Sequence, residues 1–438
     1  MRLIAHDRST ARRGPGWTLA AGLVVVAMAM TACSSTASTA AGKTESTRSA
    51  IPGAAFSDHT GITPTAVSIA TIATQSAGLF TGALVGTEAC ADYVNALGGI
   101  DGRRLVVDGE NDQFTGALNK QLTEAAVQKD FAMVGGFSLE DSFGGRVLAA
   151  NPQMPDVAQT LDPATTALSN VFSFNPSVGG WQLGPLTYFK NNYPTAVTHA
   201  GALIADYGSA ETTWAGEKAA MGHLGYRVIY DSTFPVTQTD FTQNVVAMRN
   251  DGVKILFLEQ MPQNYAAAVV QALNQQNFHP VLVFGASAYS EALVPSSGGA
   301  AAIDGAYLDQ GTSLYLGEDS HNIPAVQAFL DWVQKASPGF KADYYTLSGW
   351  LSAELFTEAL HAAGKHPSRG SVLKALRDIT SFSGGNMVGT SDPSAKKPTN
   401  CYVIARIQNG QFQRHDDPPV NGPTHGYRCD QPYFTLSK

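Results

Sequence analysis

The sequence is poor in positive charge. Lys and Arg number 28 against 36 Asp and Glu, the net charge is −8, and no long basic run occurs in 438 residues. A nucleic-acid partner is excluded on that ground, since such affinity comes largely from Lys and Arg on phosphates. Cysteine is scarce too: Cys33, Cys90, Cys401 and Cys429 are the only four, and their spacing fits no zinc pattern. Catalytic signatures are missing. There is no G-x-S-x-G elbow, no H-E-x-x-H, no P-loop, and no G-x-G-x-x-G after the first strand. The ten histidines are scattered, and Ser138, though close to Glu140 and Asp141, has no histidine paired with it in sequence. Enzyme, metal and cofactor roles therefore have no support in the chain. Apolar runs long enough to span a bilayer are also lacking.

What is there begins with an export signal. Arg2, Arg8, Arg12 and Arg13 form a positive start, and Thr18–Met30 is a short apolar run. It ends in Met30-Thr31-Ala32-Cys33, which resembles a bacterial lipobox and makes Cys33 the expected lipidation site. Residues 34–64 read as a tether, Ser/Thr/Ala-rich through Ala54 and without apolar periodicity. Outside the membrane disulfides persist, so Cys401 and Cys429, in one C-terminal module, are expected to pair, with Cys90 a buried free thiol.

From residue 65 onward, strand and helix patterns alternate. Val67–Ala73 is apolar and β-branched, Thr74–Thr81 is small and polar, and Gly82–Leu97 has helical periodicity that Gly98-Gly99 stops. A strand from Leu105 completes a βαβ unit. Further units follow to Gln159. A second set runs from Ala200 to Phe284, where Lys254–Leu258 and Val281–Phe284 are near-continuous apolar runs suited to parallel strands covered on both faces. Asp304–Tyr307 reads as a short strand. Three helices come next, and Thr399–Arg414 reads as a hairpin turning at Asn409-Gly410.

The strand, polar loop and helix ending in Asn95-Ala96-Leu97-Gly98-Gly99-Ile100-Asp101-Gly102-Arg103 resemble the type I periplasmic binding proteins, specifically the Leu/Ile/Val-binding family. The resemblance covers residues 65–415. It implies an α/β fold of two doubly wound lobes joined by a hinge. The first lobe would be 65–174 with 288–396, the second 175–287 with 397–438. It also implies a monomeric solute receptor of an ABC importer, with a permease and its ATPase as partners and no cofactor. A ligand-sensing lipoprotein without a transport role is the alternative.

Ligands of open α/β sheets collect at strand carboxyl ends. The candidate binding residues there are Ser76, Leu79 and Phe80; Phe137, Ser138 and Leu139; Gln159, Thr160 and Leu161; Tyr207; Glu259 and Gln260; Ser287 and Tyr289. The resemblance gives the third and fourth loops, 137–139 and 159–161, the part of holding a ligand carboxylate, and gives Tyr207, in Asp206-Tyr207-Gly208, that of a covering aromatic. Where the family has a carboxylate for the ligand ammonium, this chain has Gln263, with Glu259 four residues earlier. The candidate loops carry no Lys or Arg but do carry Glu140, Asp141, Asp162, Asp206, Glu211, Glu259 and Glu291. Anion sites usually recruit Arg or Lys. The expected ligand is therefore small and neutral, zwitterionic or amine-bearing.

Overall fold

The computed structural model describes residues 49–176, 179–206 and 208–436, without the side chains of 77, 208 and 209. Cys33, the signal segment, the start of the tether and Tyr207 lie outside the described residues. No helix among the described residues is long and apolar enough to cross a membrane.

The first sheet is built from β1 (Ala66–Ala73), β2 (Arg104–Asn111), β3 (Ala132–Val134), β4 (Asp156–Val157) and β5 (Val171–Phe172), in the order β2-β1-β3-β4-β5. All pairs are parallel. The connecting helices are α1 (Thr81–Ala96), α2 (Gly116–Lys129), α3 (Asp141–Ala150) and the single turn α4 (Pro163–Thr166). Almost every side chain of β1 is buried, as expected of a strand covered on both faces.

The second sheet follows a short strand, β6 (Gly180–Gln182), and helix α5 (Leu183–Asn192). It contains β7 (Ala200–Ala205), β8 (Val228–Phe234), β9 (Ile255–Leu258) and β10 (Val281–Phe284), alternating with α6 (Gly208–His223), α7 (Thr242–Asp251) and α8 (Gln263–Gln275). After two single turns, α9 (Leu293–Ser296) and α10 (Ala300–Ile303), comes β11 (Tyr307–Gln310). This strand starts where the sequence reading has it end, and it moves a lobe boundary. It pairs parallel with β10, so the second sheet keeps the chain through Gln310 and not only to residue 287. The turn α11 (Asp319–Asn322) and helices α12 (Pro324–Ala336), α13 (Tyr344–Ala362) and α14 (Arg369–Asp378) precede the hairpin β12 (Val403–Gln408) and β13 (Gln411–Arg414). The hairpin adds antiparallel to β11, giving the order β13-β12-β11-β10-β9-β7-β8. Its turn has positive φ at Asn409 (52°) and Gly410 (76°), the conformation that lets a two-residue turn follow the strand twist.

Helix α13 returns to the first lobe and packs on α1 at backbone distance. A Cβ at Gly82 or Gly86 would collide with Asp343 or Thr346, and one at Gly349 with the carbonyl of Ala83. Asp343 caps α13, accepting from Thr346 N at 2.8 Å, and so fixes the place of Tyr344 and Tyr345 on its first turn.

The last residues are tied to the second lobe. Cys401 and Cys429 form a disulfide, and Cys90 is a buried free thiol. Arg414 holds Asp319 (Nη2 to Oδ2, 2.7 Å), and Arg428 donates to Asp417 at 3.0 Å. The strand β14 (Tyr433–Thr435) pairs antiparallel with β6, Tyr433 opposite Gln182.

Gly86→Ala is expected to lower stability by about 1–3 kcal/mol, because the added methyl forces α1 and α13 apart; a fall in the urea midpoint with an unchanged slope checks this. The double variant Cys401→Ala/Cys429→Ala is expected to lose about 3 kcal/mol by freeing a long loop in the unfolded chain. Urea titration with and without reductant measures it, since the reductant should shift only the parent protein.

Candidate functional site

A cleft of about 230 Å³ lies where the two lobes meet. Gln159, Leu161 and Tyr344 line it from the first lobe, and Glu259, Gln260, Ser287, Asp309 and Gln310 from strand ends of the second. Segments that cross between lobes add Asn175, Trp181, Gln182 and Thr399, and the C-terminal strand adds Tyr433.

The crossing segments are tied to one another by side-chain hydrogen bonds. Gln182 Nε2 donates to the carbonyls of Thr399 (2.9 Å) and Cys401 (3.3 Å). Thr399 N donates to Asn175 Oδ1 at 3.1 Å, and Ser391 Oγ donates to the Phe174 carbonyl. The amide nitrogen of Gln182 is thus spent on the framework. Gly180 has φ 143°; a Cβ there would strike the Phe434 carbonyl of the C-terminal strand, and a Cβ at Gly216 of α6 would strike the Gly180 carbonyl.

Of the residues singled out from the sequence, five border the cleft: Gln159, Leu161, Glu259, Gln260 and Ser287. The others lie elsewhere, each for a visible reason. Phe80 and Phe137 are packed against Tyr345, with ring centroids 4.6 and 5.0 Å away. That plug closes the space between the β1 and β3 loops, where the strand order reverses. Leu79 and Leu139 lean on the plug half-buried, and Ser76 sits in the turn before it. Ser138 is buried in a polar knot. Its hydroxyl donates to Asp112 and accepts from Glu140 N (2.9 Å) and Asn119 Nδ2 (3.1 Å). Thr160 Oγ1 bonds Thr166 Oγ1 at 2.7 Å. Ser138 and Thr160 line instead a separate cavity of about 40 Å³ in the first lobe. Tyr289 is fully buried, its hydroxyl accepting from Leu316 N at 2.9 Å and its ring against Tyr315 and Phe412. Tyr207 lies outside the described residues.

The residues that reading missed have three causes. Asp309 and Gln310 end β11, a strand placed too early in the sequence; its correct end would have marked them as strand-end candidates. Trp181 and Tyr433 come from β6 and β14, two three-residue strands too short to leave a periodic signal. Tyr344 arrives with α13, from far along the chain.

The second-lobe wall is acidic and dry. Glu217, Glu259 and Asp309 are all at least nine-tenths buried. Gly285 makes this possible: β10 runs between β9 and β11, and a Cβ at Gly285 would stand 2.5 Å from Glu259 Oε2. Glu259 thus folds over the end of β10 and hydrogen bonds Asp309. Such a bond needs one of the two carboxyls protonated. Burial raises all three acids above the carboxylate range, and their mutual repulsion adds to it for Glu217 and Glu259. Among the described lining residues there is no Lys, Arg or His. Among the described residues no group of His, Cys, Asp and Glu has the arrangement to hold a metal ion.

A raised carboxyl pKa means the folded protein keeps protons that the unfolded chain has already lost. Stability contributed this way is full below the ordinary carboxylate pKa, about 4, and is lost as pH rises through the elevated values. The ligand-free protein is expected to melt at lower temperature as pH climbs from about 4 to 8. Asp309→Asn should flatten that slope, which melting curves of both proteins across the range will show. Asp141 and Asp156, raised by burial to about 6 and about 7, will keep part of it in both proteins.

The family of periplasmic binding proteins matches residues 67–411. No match was found among curated proteins. Solved structures with the same fold include a fatty acid ABC transporter substrate-binding protein from Thermomonospora curvata. It has a TM-score of 0.69 and 16% identity, over 86% of this chain and 95% of that one. A branched-chain amino acid transporter substrate-binding protein from Streptococcus pneumoniae, in complex with isoleucine, has a TM-score of 0.63 and 18% identity, over 80% and 98%. A solute-binding protein of an ABC transporter from R. palustris, in complex with benzoate, has 0.67 and 15%, over 85% and 98%. With most of its length matched and its two lobes meeting at a lined cleft, the chain belongs to the type I periplasmic binding proteins, in the Leu/Ile/Val-binding family.

Proposed function

We propose that this protein is an extracytoplasmic solute-binding lipoprotein of an ABC importer, held to the outer face of the cell membrane by lipid on Cys33 and working as a monomer. Its partners are a permease and an ATPase that respond to the closed form. The solute is small and neutral, zwitterionic or amine-bearing, and it leaves the cleft chemically unchanged. One observation carries the reading: the cleft takes residues from both lobes and from the segments between them, and none of those residues is Lys, Arg or His. A solute there touches both lobes at once, so its binding favours the closed arrangement. At about 230 Å³ the space lies below the ~300–1,000 Å³ usual for drug-sized ligands, which limits the solute to a few heavy atoms more than an amino acid.

The solutes named for the related structures, fatty acid, isoleucine and benzoate, differ in chemistry. The lining must therefore decide for this chain, and it disfavours anions. A thermal-shift screen of acids, amides, amino acids and amines should find stabilisation outside the acids. Stabilisation by polyanions alone would overturn the reading. Trp181→Ala should weaken the best hit by about 2 kcal/mol, roughly 30-fold, the loss typical of a buried aromatic anchor. Calorimetric titration gives that number, and an unchanged affinity would remove Trp181 from the site.

A further inference from the structure

We propose that the second-lobe wall of this cleft receives a cation rich in N–H donors, a guanidinium, amidinium or primary ammonium group, and that the solute needs no carboxylate. This rests on the cleft being the solute site.

The wall holds buried acceptors whose needs the protein leaves unmet. Glu259 Oε1, Asp309 Oδ2 and Gln310 Oε1 are buried and have no hydrogen-bond partner. All three residues line the cleft and are at most 7% exposed. The Gln310 amide cannot turn to offer its own hydrogen, because Nε2 already donates to the Ser313 carbonyl at 2.8 Å. Buried acceptors left unmade are unfavourable by about 1–3 kcal/mol each, more for charged groups, so a ligand that supplies donors gains where others do not. The carboxyls sit close together because of sheet order. Glu259 follows β9, Asp309 ends β11, and β10 between them presents only Gly285.

Among the described residues that line this wall none is a cation, and Gln260 gives Glu217 only a hydrogen bond. Asp309 is faced by Glu259, by Glu217 from α6 and by Tyr226 just beyond it, and Tyr226 donates its hydroxyl away, to the Leu186 carbonyl at 2.6 Å. No Lys, Arg or His contributes to the lining. In place of a cation, the acids retain a proton between them. An entering cation substitutes for that proton: its N–H groups donate to Glu259 and Asp309, both ionise, and the displaced proton passes to solvent. A neutral solute would leave the proton where it is.

Nor does the opposite wall have a ready seat for a carboxylate. The hydroxyls of Ser138 and Thr160 are committed inside the first lobe, Ser138 to Asp112. Leu161 and Tyr344 of that wall, with Trp181 and Tyr433 from β6 and β14, give instead a largely apolar and aromatic surface. The matching solute has a cationic head and an apolar or planar body.

Calorimetry on the full chain with agmatine and benzamidine, beside leucine, isobutyramide and benzoate, tests this. At least one of the two cations is expected to bind and to release protons, seen as a binding heat that differs between phosphate and Tris at neutral pH. Glu259→Gln and Asp309→Asn should each weaken it at least tenfold. Both variants should melt no lower than the parent above pH 7 without solute, so lost binding would not be lost folding. Failure of both cations to bind, or cation binding indifferent to both substitutions, overturns the proposal. If leucine, isobutyramide or benzoate binds instead and Trp181→Ala abolishes it, the cleft remains the solute site and only the cation assignment falls. Binding indifferent to Trp181→Ala, Glu259→Gln and Asp309→Asn alike would overturn both.

Discussion

The contact between α1 and α13 governs how the two ends of the chain make one lobe. Three glycines, Gly82, Gly86 and Gly349, let the helices meet backbone to backbone. At that distance the start of α13 has one place to go, and the Asp343 cap holds it there. Tyr345 then fills the space between the loops of β1 and β3, against Phe80 and Phe137. An open α/β sheet of this order would ordinarily offer that crevice to a ligand. Here it is packed solid, and the cleft is displaced toward the loops after β4, the crossing segments and the C-terminal strand.

The displacement also explains the chemistry. The hydroxyl-bearing loops that a family resemblance would assign to a carboxylate are turned inward, Ser138 toward Asp112 and Thr160 toward Thr166. What remains in view is a polar and aromatic first-lobe rim facing an acidic second-lobe wall. Concentrating acids in a dry wall is unfavourable unless protons or cations offset it. The lining provides no cation, and so the wall stays partly protonated until something arrives to replace the proton.

The C-terminal segment belongs to the same design. It is fixed by the disulfide to Cys401, by Arg414 to Asp319 and by Arg428 to Asp417. Those ties bring β14 to β6 and place Tyr433 at the cleft beside Trp181 and Gln182. The tail is thus a wall of the site, where its Pro, Gly and Asp content alone suggests an appendage.

Local patterning determined a great deal. The alternation of apolar runs with helical periods marks most of the longer strands and helices, though not α5, since a strand buried on both faces and a helix buried on one write those periods directly into the sequence. Asn409-Gly410 marked its hairpin, and Gln159, Leu161, Glu259, Gln260 and Ser287 were legible as strand-end residues. The absence of basic residues from the loops was legible as well, because composition needs no coordinates. Tertiary structure alone decided the rest. Which loops open to the cleft depends on a helix some 260 residues later filling the others. Whether Glu259 stands alone or bonds Asp309 depends on the order of β9, β10 and β11 and on the bare Gly285 between them. Spacing along a chain carries no information about groups that become neighbours only through sheet order and helix packing, and both the closed crevice and the acidic wall are made of such neighbours.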